Sequence, residues 1–336
     1  MGAGRVGVSL LRGAILGFLL FLGGCMQGEM PGISHTGKLP PPTEEEKLLA
    51  QRLHAHVTML AGRIGERNMV RYDNLQQAAG YIVGCFRDSG YTVREKPYEV
   101  DGKQAANIEV ELTGEEHPEQ IVVIGAHYDS VTGSPGANDN ASGVAALLEL
   151  ARRFKAVPLG RTVRFVAFVN EEPPYFQTGR MGSRVYAAAA RKRGERIAAM
   201  LALETIGYYS DAAGSQHYPA PVGRYYPDTG NFIGFVSNQR SASLLHYCVK
   251  VFRETTPFPS EGLAAPELVQ GVGWSDQWSF WQEGYPGIMI TDTAPFRYPH
   301  YHLSSDLPQH LNYERMARVT AGIGVVIEGL LKSAAL

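Results

Sequence analysis

Three apolar, β-like runs in this chain end at residues of metal-binding type. Residues 121–126 run into His127, residues 163–169 lead to the pair Glu171 and Glu172, and residues 200–203 are broken by Glu204. Continuous apolar runs of this kind suit strands buried on both faces of a parallel sheet. The carboxyl ends of such strands form the crevice where an open α/β sheet does its chemistry. With Asp139 and His302 the set becomes two imidazoles and several carboxylates, a donor mixture suited to zinc. A doublet such as Glu171 and Glu172 supplies one ligand and one free base beside it. The combination points to metal-assisted hydrolysis.

Elsewhere the pattern alternates helix and strand. Helices are predicted from Glu44, over 74–89, 142–154, 183–193, 241–253 and 313–332. Strands are predicted over 91–94, 107–112, 121–126, 163–169, 198–206, 232–236 and 287–291. Alternation with short connections implies one α/β domain with a mainly parallel sheet. Asn140 or Ser142 caps the helix that follows Asp139. The Gly-, Pro- and Ala-rich stretches 210–230 and 255–273 read as surface loops, the kind that line a substrate site.

The charge balance is 31 basic against 33 acidic residues, a net charge of -2, which excludes an electrostatic nucleic-acid partner. Arg191, Lys192 and Arg193 form a short cationic cluster that reads as a solvated helix end. At the N-terminus Arg5 and Arg12 precede an apolar stretch, 14–22, followed by Gly23, Gly24 and Cys25. That order describes a secretory signal too short for a comfortable membrane span. Leu22 to Cys25 resembles the lipobox of bacterial lipoproteins, in which the cysteine becomes the lipidated first residue. Residues 1–25 are therefore expected to be a lipoprotein-type signal peptide, 26–45 a flexible tether rich in proline, and 46–336 a single folded domain. The expected location is the bacterial cell envelope, with the membrane contact made through lipid on Cys25. Cys85 and Cys248 lie in apolar helical patterns and read as buried thiols rather than a bridge.

Each site residue has a plainer reading. His127 alone reads as a core histidine, but Asp129 two residues on is placed to brace it, as a carboxylate often braces a ligating imidazole. Asp139, in Gly136-Ala-Asn-Asp-Asn-Ala-Ser-Gly143, reads either as a charge at a helix start or as a carboxylate bridging two metals. Adjacent acids repel, so Glu171 and Glu172 are poorly explained by structure unless they face solvent. Glu204 interrupts an apolar run, and a buried carboxylate needs a partner such as a metal. His302 sits in Pro299-His-Tyr-His-Leu-Ser-Ser-Asp306, a stretch that by itself also suits a wet loop. Tyr301 beside it is placed to polarise a developing oxyanion.

Taken together, residues 125–130, 136–143, 168–172, 203–208 and 301–306 resemble the motifs of the zinc exopeptidase family of bacterial aminopeptidases, in order and with similar spacing. That family also holds the glutamate carboxypeptidases and glutaminyl cyclases. The resemblance covers roughly residues 70–330 and implies a three-layer α/β/α fold with a mixed, mainly parallel central sheet. It implies two zinc ions bridged by Asp139, with His127 and Glu204 completing one site and Glu172 and His302 the other. Glu171 would be the general base and Tyr301 the oxyanion donor. A cis peptide after Asp139 is also implied. Two positions depart from the family: Glu204 stands where Asp is usual, and Gln277 where relatives often carry His. The implied activity is an aminopeptidase acting on peptides with a free N-terminus. A glutaminyl cyclase usually has Trp where Tyr301 stands, which favours hydrolysis. A carboxypeptidase would need cations for the substrate's C-terminus, with Arg297 and Arg180 the only hints. A non-catalytic binding module is disfavoured because all five ligand positions and Glu171 are competent. Tyr218, Tyr225, Tyr226, Phe258 and Phe296 in the loops suggest an apolar substrate pocket.

Overall fold

A computed structural model describes residues 30–220 and 222–332. The expected signal peptide and Cys25 lie outside the described residues. Among those described, no helix is long and apolar enough to cross a membrane. Eight strands form one sheet: β1 Arg94–Val100, β2 Lys103–Leu112, β3 His117–His127, β4 Arg161–Phe168, β5 Arg196–Glu204, β6 Ile233–Ser237, β7 Ser260–Ala264 and β8 Gly287–Thr291. Their order is β1-β2-β4-β3-β5-β8-β6-β7. The central four, β4, β3, β5 and β8, run parallel, β6 pairs antiparallel with β8, and a β1–β2 hairpin closes the other edge. The sheet is mixed with a parallel centre, as the resemblance implied.

Side-chain alternation along the central strands builds the three layers. From β3, Val122 and Ile124 join one apolar cluster while Ile121 and Val123 join another. The first cluster takes in α1 Glu44–Val57, α2 Tyr72–Asp88, α3 Gly143–Phe154, α5 Ala242–Thr255 and α7 Tyr313–Lys332. The second takes in α4 Gly182–Lys192 and α6 Gln277–Trp281. Each fully buried Val, Ile or Leu contributes about 1.5–3 kcal/mol relative to exposure. Thr43 starts α1 with a reciprocal cap: its hydroxyl accepts from Glu46 N–H, and the Glu46 carboxylate accepts from Thr43 N–H.

Three expectations are corrected. The first strand lies at Arg94–Val100 rather than 91–94, and β7 and α6 occupy stretches not expected to be ordered elements. The supposed tether is anchored from Met30 onward. Met30 packs beside Gly262, and Arg253 Nη1 donates to the carbonyls of Met30, Pro31 and Gly32 at 3.3 Å each. Ser260 N–H donates to Ser34 Oγ, and Arg318 donates to the Pro40 carbonyl at 2.8 Å. A proline-rich segment makes no core of its own, but its free carbonyls bind a neighbour's guanidinium. Cys248 is buried, Cys85 half-buried, and neither is bridged.

Candidate metal centre

The parallel centre of the sheet brings its ligand-type residues to one edge. His127 is the last residue of β3 and Glu204 the last of β5, while Glu171 and Glu172 follow β4. The backbone turns at these ends through left-handed residues, Asn170 at φ 59° and Thr205 at φ 49°, and His302 itself has φ 59°. Non-glycine residues held there are uncommon and cluster at functional sites. Asp139 arrives on the loop between β3 and α3, and its peptide to Asn140 is cis, as implied. Gly136 (φ 64°) and Gly143 make this loop possible: a Cβ on the first would strike the Asp139 carbonyl, and on the second the Leu203 carbonyl. Asn140 is the cap that sequence left open against Ser142. Its Oδ1 accepts from Gly143 N–H at 3.0 Å and from Thr205 N–H at 3.1 Å, and its Nδ2 donates to Leu203 O, tying the loop to β5.

All five expected ligands converge. His127 Nε2 lies 3.2 Å from both Asp139 Oδ1 and Glu204 Oε2. His302 Nε2 lies 3.1 Å from Asp139 Oδ2 and 3.4 Å from Glu172 Oε2. Asp139 thus turns one oxygen to each histidine. One donor atom from each of His127, Asp139 and Glu204 falls within 4.8 Å of the others, and the same holds for Asp139, Glu172 and His302. The longer side chain of Glu204 still reaches the cluster, where Ser275 Oγ donates to its Oε2 at 2.6 Å. Glu171 belongs to neither group, but its Oε2 stands 3.9 Å from His127 Nε2. The Tyr301 ring stacks on His302 at 3.9 Å.

The electrostatics ask for added positive charge. Burial, reinforced by neighbouring carboxylates, pushes Glu171 and Glu172 well above the ordinary carboxylate range and raises Glu204, although His127 opposes this in all three. Burial disfavours a charged His127, but Glu204, Glu171, Asp129 and Asp139 outweigh it and hold the imidazole well above its ordinary value. Burial and the surrounding acids keep the Tyr301 phenol neutral far above the usual range. Both His127 nitrogens and Asp139 Oδ1 are buried without a hydrogen bond. Buried polar atoms are normally paired, so these are open donor positions. Four acids facing two imidazoles, with unsatisfied atoms aimed inward, fit divalent metal ions.

Of the layer that supports these residues, only Asp129 was legible in sequence, and with a different partner. Asp129 was expected to brace His127, and its Oδ1 stands 3.6 Å from Nδ1, beyond a hydrogen bond. Its two oxygens instead accept the N–H groups of Glu171 and Glu172 at 3.1 Å each, which fixes the acid pair. Asp306 accepts from Asn138 N–H, Asp139 N–H and the Tyr298 hydroxyl. The fully buried Arg67 donates to the carbonyls of Tyr128, Pro135 and Gly136 and so clamps both ends of the loop. Asp306 lay within a quoted motif, but its role depends on a segment about 170 positions away in sequence, which periodicity does not report. Gln277, the second departure, is buried and donates to Val272 O.

Beside Glu204 and Tyr301 a cleft of about 810 Å³, counted with its mouth, runs toward β6 and β7. Tyr218, Tyr226, Trp274 and Phe296 line it. Of the five aromatics expected there, Tyr225 is exposed instead and Phe258 is core. Arg297 is buried against Gln216 and the Phe232 carbonyl, and Arg180 pairs with Asp101.

The sequence pattern of peptidase family M28 matches residues 107–327. YfbL of Escherichia coli (strain K12), described as an uncharacterized protein, is 36% identical over 291 residues, which is 84% of this chain and 88% of YfbL. Aminopeptidase YwaD of Bacillus subtilis (strain 168) is 51% identical over a 70-residue stretch, 21% of this chain and 14% of YwaD. Among solved structures, a zinc aminopeptidase from Bacillus subtilis superposes with a TM-score of 0.69 at 16% identity, covering 89% of this chain and 98% of that one. That likeness shows a shared fold, while the family pattern spans every residue of the donor cluster. This chain belongs to peptidase family M28.

Proposed function

We propose that the protein is a zinc aminopeptidase that releases N-terminal residues from peptides. The observation that carries this reading is Asp139 turning one oxygen to His127 and the other to His302. His127, Asp139 and Glu204 would hold one zinc, and Asp139, Glu172 and His302 a second. Bound there, zinc supplies Lewis acidity, polarising the scissile carbonyl and lowering the pKa of water from about 15.7 toward roughly 7. Glu171 is the general base: it takes the proton of the attacking water and passes it to the leaving amine. Asp129 accepts from the Glu171 backbone N–H, which fixes the turn from which the base projects. Tyr301, a neutral phenol, donates to the oxyanion of the tetrahedral species. The aminopeptidase name of YwaD, on a 70-residue match, supports this choice within the family.

Carboxypeptidase action is disfavoured because Arg297 and Arg180 are engaged elsewhere. Glutaminyl cyclases share the fold, and Tyr301 in place of Trp speaks against that branch. We further read the protein as exported, with Cys25 lipidated, on the strength of the leader pattern alone. The test uses purified protein supplied with zinc. Release of the amino acid from aminoacyl-p-nitroanilides, stopped by chelator, is the expected result. Cyclisation of an N-terminal glutaminyl peptide without release would move the protein to the cyclase branch. Metal binding with neither activity would make it a binding module.

A further inference from the structure

We propose that the cleft beside the metal centre is a pocket for a cationic N-terminal side chain, lysine or arginine, read out by Glu261; this rests on the aminopeptidase reading. The sheet register carries the idea. Glu204 pairs with Thr291, Thr291 with Gly234, and Gly234 with Glu261, so the four form one row across β5, β8, β6 and β7. Directly paired residues point to the same face of a sheet, and all four line the cleft. Three strand spacings of about 4.8 Å put Glu261 roughly 14 Å from Glu204, Cα to Cα. Gly234 adds no side chain to the floor between them, where the side chains of Thr291 and Thr293 lie alongside it. A substrate whose reacting carbonyl sits at the Glu204 end would extend its first side chain along this row.

The chemistry of the walls agrees. Leu263 and Met289 offer apolar contact for an aliphatic stem, and Tyr218 and Tyr226 present rings to a cation. The charged side chains lining the cleft, among the described residues, are Glu204 and Glu261, and both are acidic. Glu261 does have a structural neighbour: Arg253 Nη2 is 3.8 Å from its Oε2, beyond hydrogen-bond distance. The Arg253 guanidinium is directed instead to the carbonyls of Met30, Pro31, Gly32 and Ser260. Among the described residues the Glu261 carboxylate has the Arg253 ion pair at 3.8 Å and no hydrogen bond, and being about a quarter exposed it can still meet a ligand ammonium or guanidinium. A purely apolar preference would place a half-buried acid, paired with Arg253 at 3.8 Å, in the path of an uncharged side chain.

The test compares lysine with norleucine, which has the same stem and no charge. On the zinc-loaded protein, kcat/KM for lysyl-p-nitroanilide should exceed that for norleucyl-p-nitroanilide by about tenfold or more, the scale of one charge-assisted contact. Glu261→Gln should bring the ratio close to one, and Glu261→Lys should invert it. Loss of a structural prop would slow both substrates alike and leave the ratio standing. Equilibrium binding of L-lysinamide against L-norleucinamide gives the same comparison without turnover, so an inactive protein would count against the aminopeptidase reading and still decide this one. Equal or weaker binding of the lysine compound, unchanged by Glu261→Gln, would overturn the proposal.

Discussion

The two ends of the cleft are built on different terms. At the metal centre, His127, Asp139, Glu171, Glu172 and Glu204 are all buried, and the backbone that carries them is tied by Asp129, Asn140, Asp306 and Arg67. At the β6–β7 edge the walls are aromatic rings on long loops, with Trp274 38% exposed at the rim. Reacting groups must be held within a fraction of an ångström, and rigid strand ends with paired backbone donors do that. A pocket for a side chain tolerates adjustment, and loops supply it. Changes at the first end should abolish turnover, and changes at the second should redistribute it among substrates.

Asp139→Asn should have the largest effect, since it weakens both donor groups at once. We expect kcat/KM to fall by about 10⁴-fold or more, with zinc lost from the protein by metal analysis. Full activity and two retained zincs would erase the distinction between the two ends. If Tyr301 donates to the oxyanion as proposed, Tyr301→Phe should lower kcat by about 10²-fold with KM little changed. A change in KM alone would move Tyr301 from the centre's chemistry to the pocket's binding. Asp306→Asn weakens the anchor of the Asp139 backbone without touching a ligand. Zinc affinity should drop about 10- to 100-fold, as it does when outer-shell partners are altered; competition with a chromogenic chelator reads this directly.

The smallest effect lies away from both ends. Glu149 is buried on α3, with Arg52 Nε at 2.6 Å, Arg152 Nε at 3.0 Å and His56 Nε2 at 3.4 Å. Burial pushes its carboxyl up, but the bonds from His56, Arg152 and Arg52 outweigh that and hold it down at about 2, against an ordinary 4.5. A depressed carboxyl stabilises the fold above its unfolded value and loses that contribution as pH falls through the folded one. Stability should therefore decline between about pH 4.5 and 2. Glu149→Gln should cost about 2 kcal/mol at pH 7 and flatten that acid slope in denaturant titrations, while kcat/KM stays unchanged. An unaltered slope would show that the cluster does not control acid stability.

The same contrast explains what sequence revealed. Strands β3, β4, β5 and β8 are largely buried on both faces, so they print as mainly apolar runs despite Arg164 in β4, and the candidate ligands at or just after the ends of β3, β4 and β5 stand out against them. Strand β1 is an edge strand with largely exposed, charged residues, and β7 is a short edge strand reading Ser-Glu-Gly-Leu-Ala. Neither has the apolar alternation or β-branched content that marks a strand, because half of each faces water or a cleft. The roles of Asp306 and Arg67 were hidden for another reason. Their importance lies in which distant backbone groups they meet, and local pattern holds no record of that. The anchored segment from Met30 to Pro40 is the same case: its composition describes a tether, and only the folded Arg253 and Arg318 give it partners.

The central claim is that Glu171 moves the proton while its neighbours hold the metal, and Glu171→Gln tests it most directly. The variant keeps the size of the side chain and removes its basicity. The account predicts wild-type zinc content together with kcat lowered by about 10²- to 10⁴-fold. Unimpaired turnover at full zinc loading would contradict it.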